Sequence, residues 1–145
     1  MPRINHIAIK VGDLEEASKL YEDVFGFKRL MDEPSPGHIS RHLTDGAIVL
    51  SLLQYESEDS PEATLSGRGP CIHHFGFEVD DPNSFKVALK DFGCEIISGS
   101  IEEFMGPKKE PIKFRAPHGV VAEILPLQAF DKPQTWKKRA QGEKS

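Results

Sequence analysis

The sequence predicts an α+β fold made of two copies of one β-α-β-β unit, whose sheets form a curved cup. Two observations predict it. Residues 5–13 read NHIAIKVGD and residues 73–81 read HHFGFEVDD. Each has a His followed by alternating apolar and polar residues and a turn-forming Asp. Each is then followed by a helical stretch, LEEASKLYEDVFGF (14–27) and PNSFKVALKDFGC (82–94). Self-similarity at a fixed spacing is the mark of a repeated supersecondary unit.

The elements follow in order. In the first strand Ile7, Ile9 and Val11 share one face, and His6, Ala8 and Lys10 share the other, because alternate side chains in a strand point to opposite sides. The apolar set lies under the helix that follows, where Leu14, Ala17, Leu20, Tyr21 and Val24 recur at helical spacing. Gly26 suits the left-handed position just past a helix end. Strand-like runs HISRHLT (38–44) and AIVLSLL (47–53) come next, joined by the hairpin signal Asp45-Gly46. The hydrophilic stretch 55–69 reads as a linker or exposed loop.

The second half repeats the scheme. Phe75, Phe77 and Val79 form the helix-side set, and His74, Gly76 and Glu78 the opposite one. Phe85, Ala88, Leu89 and Phe92 give the second helix its apolar stripe, with Pro82 in its first turn and Gly93 past its end. Strands follow at EIIS (95–98), IKFRA (112–116) and VVAEIL (120–125), the last two joined by Pro117-His118-Gly119. One more short strand is expected in each half. Each helix covers one face of its sheet, and the other faces, side by side, form the concave face that holds a ligand. A single domain is expected over 1–127, with module 1 at about 3–54, the linker at 55–69 and module 2 at about 70–127. A polar tail covers 128–145.

Composition narrows the function. The 145 residues are 38% hydrophobic and 28% charged, as in a soluble globular protein. A formal net charge of −5 argues against nucleic acid, whose phosphates need clustered Lys and Arg. Two cysteines are too few for a disulfide framework. No segment approaches the roughly 20 apolar residues that span a bilayer, so a cytoplasmic protein working on a small molecule, without a membrane, is expected.

Three residues stand out chemically. His6 and His74 hold the same place in the two repeats and face the cup, whereas His73 faces away. Glu123 sits in an otherwise apolar strand, where a carboxylate is costly unless paired or metal-bound. Together they point to one divalent metal ion. Ser51 stands where Glu123 stands in the other repeat.

The segments INHIAIKVGDLEEASKLYEDVFGF, IHHFGFEVDD and FRAPHGVVAEIL resemble the vicinal oxygen chelate superfamily, over roughly residues 3–127. That superfamily includes glyoxalase I, methylmalonyl-CoA epimerase, fosfomycin and bleomycin resistance proteins, and extradiol dioxygenases. The resemblance implies paired βαβββ modules, a homodimer, and a metal at His6, His74 and Glu123. It also implies a departure. Glyoxalases and epimerases of this kind have Glu or Gln as a fourth ligand where this chain has Ser51, a poor ligand for a divalent ion. Gln54 is close by but falls on the opposite face. The remaining two-His, one-carboxylate set suits Fe, Mn, Ni, Co or Zn alike.

The superfamily holds two adjacent substrate oxygens on its metal and stabilises an enolate-like anion. A proton-handling group is then required. The candidates are Glu33, in the loop MDEPSPG near where epimerases place a catalytic glutamate, and His42, on the same strand face as Ser40 and Thr44. Arg41, Ser51 and His118 are candidate substrate contacts. The leading expectation is a metal-dependent lyase or isomerase of the glyoxalase/epimerase kind. An Fe(II) extradiol-type dioxygenase is second, weakened by the lack of any Tyr beyond Tyr21 and Tyr55. A non-catalytic binding or resistance protein is third, and the intact ligand set counts against it.

Overall fold

The computed structural model describes residues 1–127. The polar tail expected over 128–145 lies outside the described residues. The elements run β1 (Arg3–Lys10), α1 (Leu14–Lys19), β2 (Lys28–Ser35), β3 (His38–Thr44), β4 (Val49–Tyr55), β5 (Cys71–Val79), α2 (Pro82–Phe92), β6 (Glu95–Ser98), α3 (Ile101–Met105), β7 (Ile112–Arg115) and β8 (Val121–Pro126). The last turn of α1 widens into a π-helical segment, Leu20–Val24. Among the described residues, eight strands and three helices make an α+β fold whose strands form mixed, open sheet structure. No helix among the described residues is long and apolar enough to cross a membrane.

The chain divides into two units. Among the described residues, one contains Met1–Asn5 and 74–127, and the other contains His6–His73. Within the latter the strand order is β2-β3-β4-β1, with β1 and β4 parallel and the other pairs antiparallel. Within the former it is β5-β8-β7-β6, with β5 and β8 parallel and the rest antiparallel. The same pattern thus appears twice, and the repeat residues hold equivalent positions. Asp13 caps α1 by accepting from the Glu16 amide at 2.9 Å, and Asp81 caps α2 by accepting from the Asn83 and Ser84 amides at 3.1 and 3.2 Å. Each Asp satisfies helix N–H groups that have no partner inside the helix. Gly93 ends α2 at φ 105, a left-handed position that glycine adopts without strain.

Each unit has its own core. In His6–His73, Leu14, Leu43, Leu50 and Leu52 are buried against Ile7, Ile9, Val11, Ala17 and Tyr21. In the other unit Val79, Phe104, Ile112, Phe114, Ala122 and Ile124 are buried against Phe75, Phe77, Phe85 and Leu89. The strand faces expected to lie under the helices do so.

Three expectations need correction. Glu33 is not in a loop: it lies in β2, opposite Ser40 of β3. Its segment, KRLMDEPS, is half charged and mostly exposed, so it lacks the apolar alternation that marks a strand. The additional strand expected in each half is present, as β2 and β6, and the second half also has α3, a short helix capped by Ser100. The β3–β4 hairpin is a four-residue turn over 45–48, held by the Asp45 carboxylate accepting from the Ala47 and Ile48 amides. The stretch 55–69 is no free linker. Lys10, 2% exposed, donates to the carbonyls of Ala63 and Gly67 at 2.7 and 2.8 Å and to the Glu58 carboxylate at 3.0 Å. Ala63 is fully buried.

Candidate functional site

The repeat can be read strand by strand. In a sheet, residues opposite one another on neighbouring strands point to the same side. In the second-half unit Gly76 of β5 lies opposite Glu123 of β8, which lies opposite Lys113 of β7. In the first-half unit Ala8 of β1 lies opposite Ser51 of β4, which lies opposite His42 of β3. Ser51 is therefore the structural counterpart of Glu123, and His42 that of Lys113. His74 and His6 each sit two residues before the small residue of their strand.

The second-half unit brings together His74, Glu123 and Lys113. Nε2 of His74 is 3.3 Å from Oε1 of Glu123, and Nζ of Lys113 is 3.8 Å from Oε2 of the same carboxylate. All three are buried. A buried carboxylate beside a buried imidazole is a donor pair that a borderline divalent ion accepts. His6 is buried on β1, with its side chain on the Ala8 face. His73, by contrast, is committed to the loop, where its Nε2 bonds the Glu62 carbonyl at 2.7 Å.

The first-half unit joins three other candidates. Nδ1 of His42 is 2.8 Å from Oγ of Ser51, and its Nε2 is 3.2 Å from Oε2 of Glu33. Ser51 and His42 are buried, whereas the Glu33 side chain is 60% exposed.

The profile of the Glyoxalase/Bleomycin resistance protein/Dioxygenase superfamily matches residues 3–124. The chain belongs to this superfamily. Its relatives include the ethylmalonyl-CoA/methylmalonyl-CoA epimerase of Cereibacter sphaeroides, 34% identical over 84% of this chain and 96% of that protein. The mitochondrial methylmalonyl-CoA epimerase of Homo sapiens is 30% identical over 84% of this chain and 72% of that protein. Among solved structures, a methylmalonyl-CoA epimerase in complex with methylmalonyl-CoA and NH4+ superposes with a TM-score of 0.67 at 25% identity, over 87% of this chain and 94% of that one. A variant of the Streptomyces coelicolor methylmalonyl-CoA epimerase, in complex with 2-nitronate-propionyl-CoA, gives a TM-score of 0.67 at 26% identity, over 86% and 93%.

Against this superfamily background, two sequence candidates fall outside the clusters. Arg41 projects to the face opposite His42, and its guanidinium already holds Asp32 in a two-point pair at 2.8 and 2.9 Å and Glu15 at 2.7 Å. Those carboxylates raise the Arg41 pKa, and Arg41 lowers those of Asp32 and Glu15. The arrangement ties β3 to β2 and to α1. His118 is exposed in the β7–β8 turn, where its Nδ1 accepts from the Val120 amide at 3.4 Å. Gln54 spends its carbonyl on the Leu14 amide at the start of α1, 2.7 Å away, on the helix side of the sheet. Lys113 was not singled out by sequence. Its signal was there: in Ile112-Lys113-Phe114-Arg115 the charged side chains alternate with apolar ones, so Lys113 falls on the Glu123 face.

Proposed function

We propose that this protein is a CoA-thioester epimerase, an isomerase that removes and returns the proton on the carbon between a thioester and a second carboxyl group. Methylmalonyl-CoA and ethylmalonyl-CoA, named for the relatives, are the substrates that fit this reading. His6, His74 and Glu123 are proposed to hold one divalent metal ion. The observation that carries the reading is the buried His74–Glu123 pair, with His6 at the equivalent place in the other repeat. Bound there, the ion supplies a Lewis acid for negative charge on substrate oxygen.

The chain's own residues do the rest. Lys113, beside the second oxygen of Glu123, fixes the rotation of that carboxylate and partly offsets its charge. The small side chains of Ala8 and Gly76 leave room for an acyl group beside the histidines. His42 is the proton-handling group and needs no metal ligand at position 51 to act. Ser51 counts against a glyoxalase-type lyase, in which a carboxylate ligand does that work, and the relatives favour an isomerase. The homodimer and the cytoplasmic location belong to this reading and rest on resemblance and composition.

The test is isotopic. Protein supplied with Co, Ni, Mn, Zn or Fe in turn is incubated in deuterium oxide with a single epimer of methylmalonyl-CoA. The reading expects one deuterium at C2 together with racemisation faster than the spontaneous rate. No exchange on methylmalonyl-CoA or ethylmalonyl-CoA with any of these ions would overturn it.

A further inference from the structure

The first-half unit carries a hydrogen-bonded chain, graded in exposure, that the proposed metal ligands do not use. We propose that Ser51, His42 and Glu33 form a proton relay, with Ser51 meeting the substrate, His42 storing the proton and Glu33 connecting it to solvent. This rests on the epimerase reading and names the group that works on one side of the substrate carbon.

The geometry sets the roles. Both ring nitrogens of His42 are engaged, Nδ1 by Ser51 and Nε2 by Glu33. The imidazole therefore reaches substrate through Ser51 rather than directly. Carboxylates are ionised at neutral pH and can only accept, so Nε2–H donates to Glu33. Nδ1 then carries the lone pair and accepts from the Ser51 hydroxyl. Exposure rises along the chain, from Ser51 at 3% to Glu33 at 60%. Ser51, His42 and Glu33 lie on β4, β3 and β2, and their pairings with Ala8 and Ser40 put them on the His6 face of this unit. The opposite repeat has Glu123 and Lys113 in the equivalent places. A hydroxyl backed by an imidazole cannot take over a carboxylate's hold on a cation, but it can pass a proton.

The step balances. The substrate C–H bond breaks and its proton bonds to Ser51 Oγ, leaving the electron pair on the thioester enolate. The original Ser51 hydroxyl proton moves to His42 Nδ1. The imidazolium so formed is held by Glu33. Reversal returns a proton to carbon, and that proton is a solvent one when the Ser51 hydroxyl or the His42 Nδ1–H has exchanged with water while Glu33 holds the imidazolium.

The test reads C2 deuterium exchange on methylmalonyl-CoA in Ser51→Ala, His42→Ala and Glu33→Gln, with imidazole added back to His42→Ala. The relay expects exchange to fall about 100-fold or more in the first two, with imidazole restoring part of the His42→Ala loss. Glu33→Gln, an exposed change that leaves folding intact, slows exchange about 10-fold. Exchange within twofold of wild type in Ser51→Ala or His42→Ala, while His6→Ala abolishes it, overturns the relay and leaves the epimerase reading standing. No exchange in the wild type overturns the epimerase reading instead. In that case nitrogen NMR of the His42 ring decides the relay without turnover. Glu33→Gln must shift Nε2 and Ser51→Ala must shift Nδ1, and unmoved resonances overturn it.

Discussion

Glu123 Oε1 lies 3.3 Å from His74 Nε2, on neighbouring parallel strands of one unit. Lys113 stands 3.8 Å from the other oxygen. Removing one partner of a buried charged pair is more damaging than replacing both, because it leaves a charge without compensation. Lys113→Met is therefore expected to lower stability by about 3 kcal/mol. Urea unfolding measures it. Lys113→Met combined with Glu123→Leu is expected to cost less than Lys113→Met alone.

Lys10 makes a similar case for the 55–69 stretch. Its ammonium is the shared donor to two carbonyls and one carboxylate of that segment. Lys10→Met is expected to cost about 3 kcal/mol and to open the segment to proteolysis. Cleavage that stays as slow as in the wild type would contradict the tie.

Gly99 sets a steric limit between β6 and α3. It sits at φ 93, and a Cβ there would meet the Pro111 carbonyl oxygen at 2.4 Å and Ile112 Cα at 2.8 Å. Both obstacles are backbone and cannot swing away. Gly99→Ala is expected to cost about 3 kcal/mol or more, visible as a fall in melting temperature.

Acid sensitivity follows from the carboxylates. Hydrogen bonding to Arg41 holds Asp32 below the usual carboxylate range, and the Ile48 and Ala47 amides do the same for Asp45. A lower pKa in the folded state means that the unfolded chain takes up protons first as pH falls. The stabilisation is present in full above the ordinary carboxylate pKa of about 4, and is lost as pH drops through the lower folded values. Urea midpoints are expected to be flat near neutrality and to fall in acid. Asp45→Asn, which lacks the titrating group, is expected to show a shallower acid slope.

Much of this arrangement was legible in the sequence. The HIAIKV and HFGFEV strands announced themselves by period-two alternation, and the repeat chose His74 over His73. The same alternation put Ser51 in the Glu123 position, which strand register bears out. What escaped had physical reasons. β2 is an edge strand rich in charge, so Glu33 looked like a loop residue until its pairing with Ser40 placed it beside His42. The 55–69 stretch is polar in composition but anchored by Lys10, a contact 53 residues distant at Ala63 that no local pattern reveals. Arg41 invited an anion because arginine binds anions, yet its partners Asp32 and Glu15 come from other elements.

Metal content tests the central claim most directly. Wild-type protein and the His6→Ala, His74→Ala and Glu123→Ala variants are each loaded with a divalent ion, desalted and analysed by atomic emission. The account predicts close to one ion per wild-type chain and a large loss in each variant, with circular dichroism showing the fold retained. Wild-type metal content in the His6→Ala and Glu123→Ala variants, or no metal in the wild type after loading with any of the five ions, would contradict it.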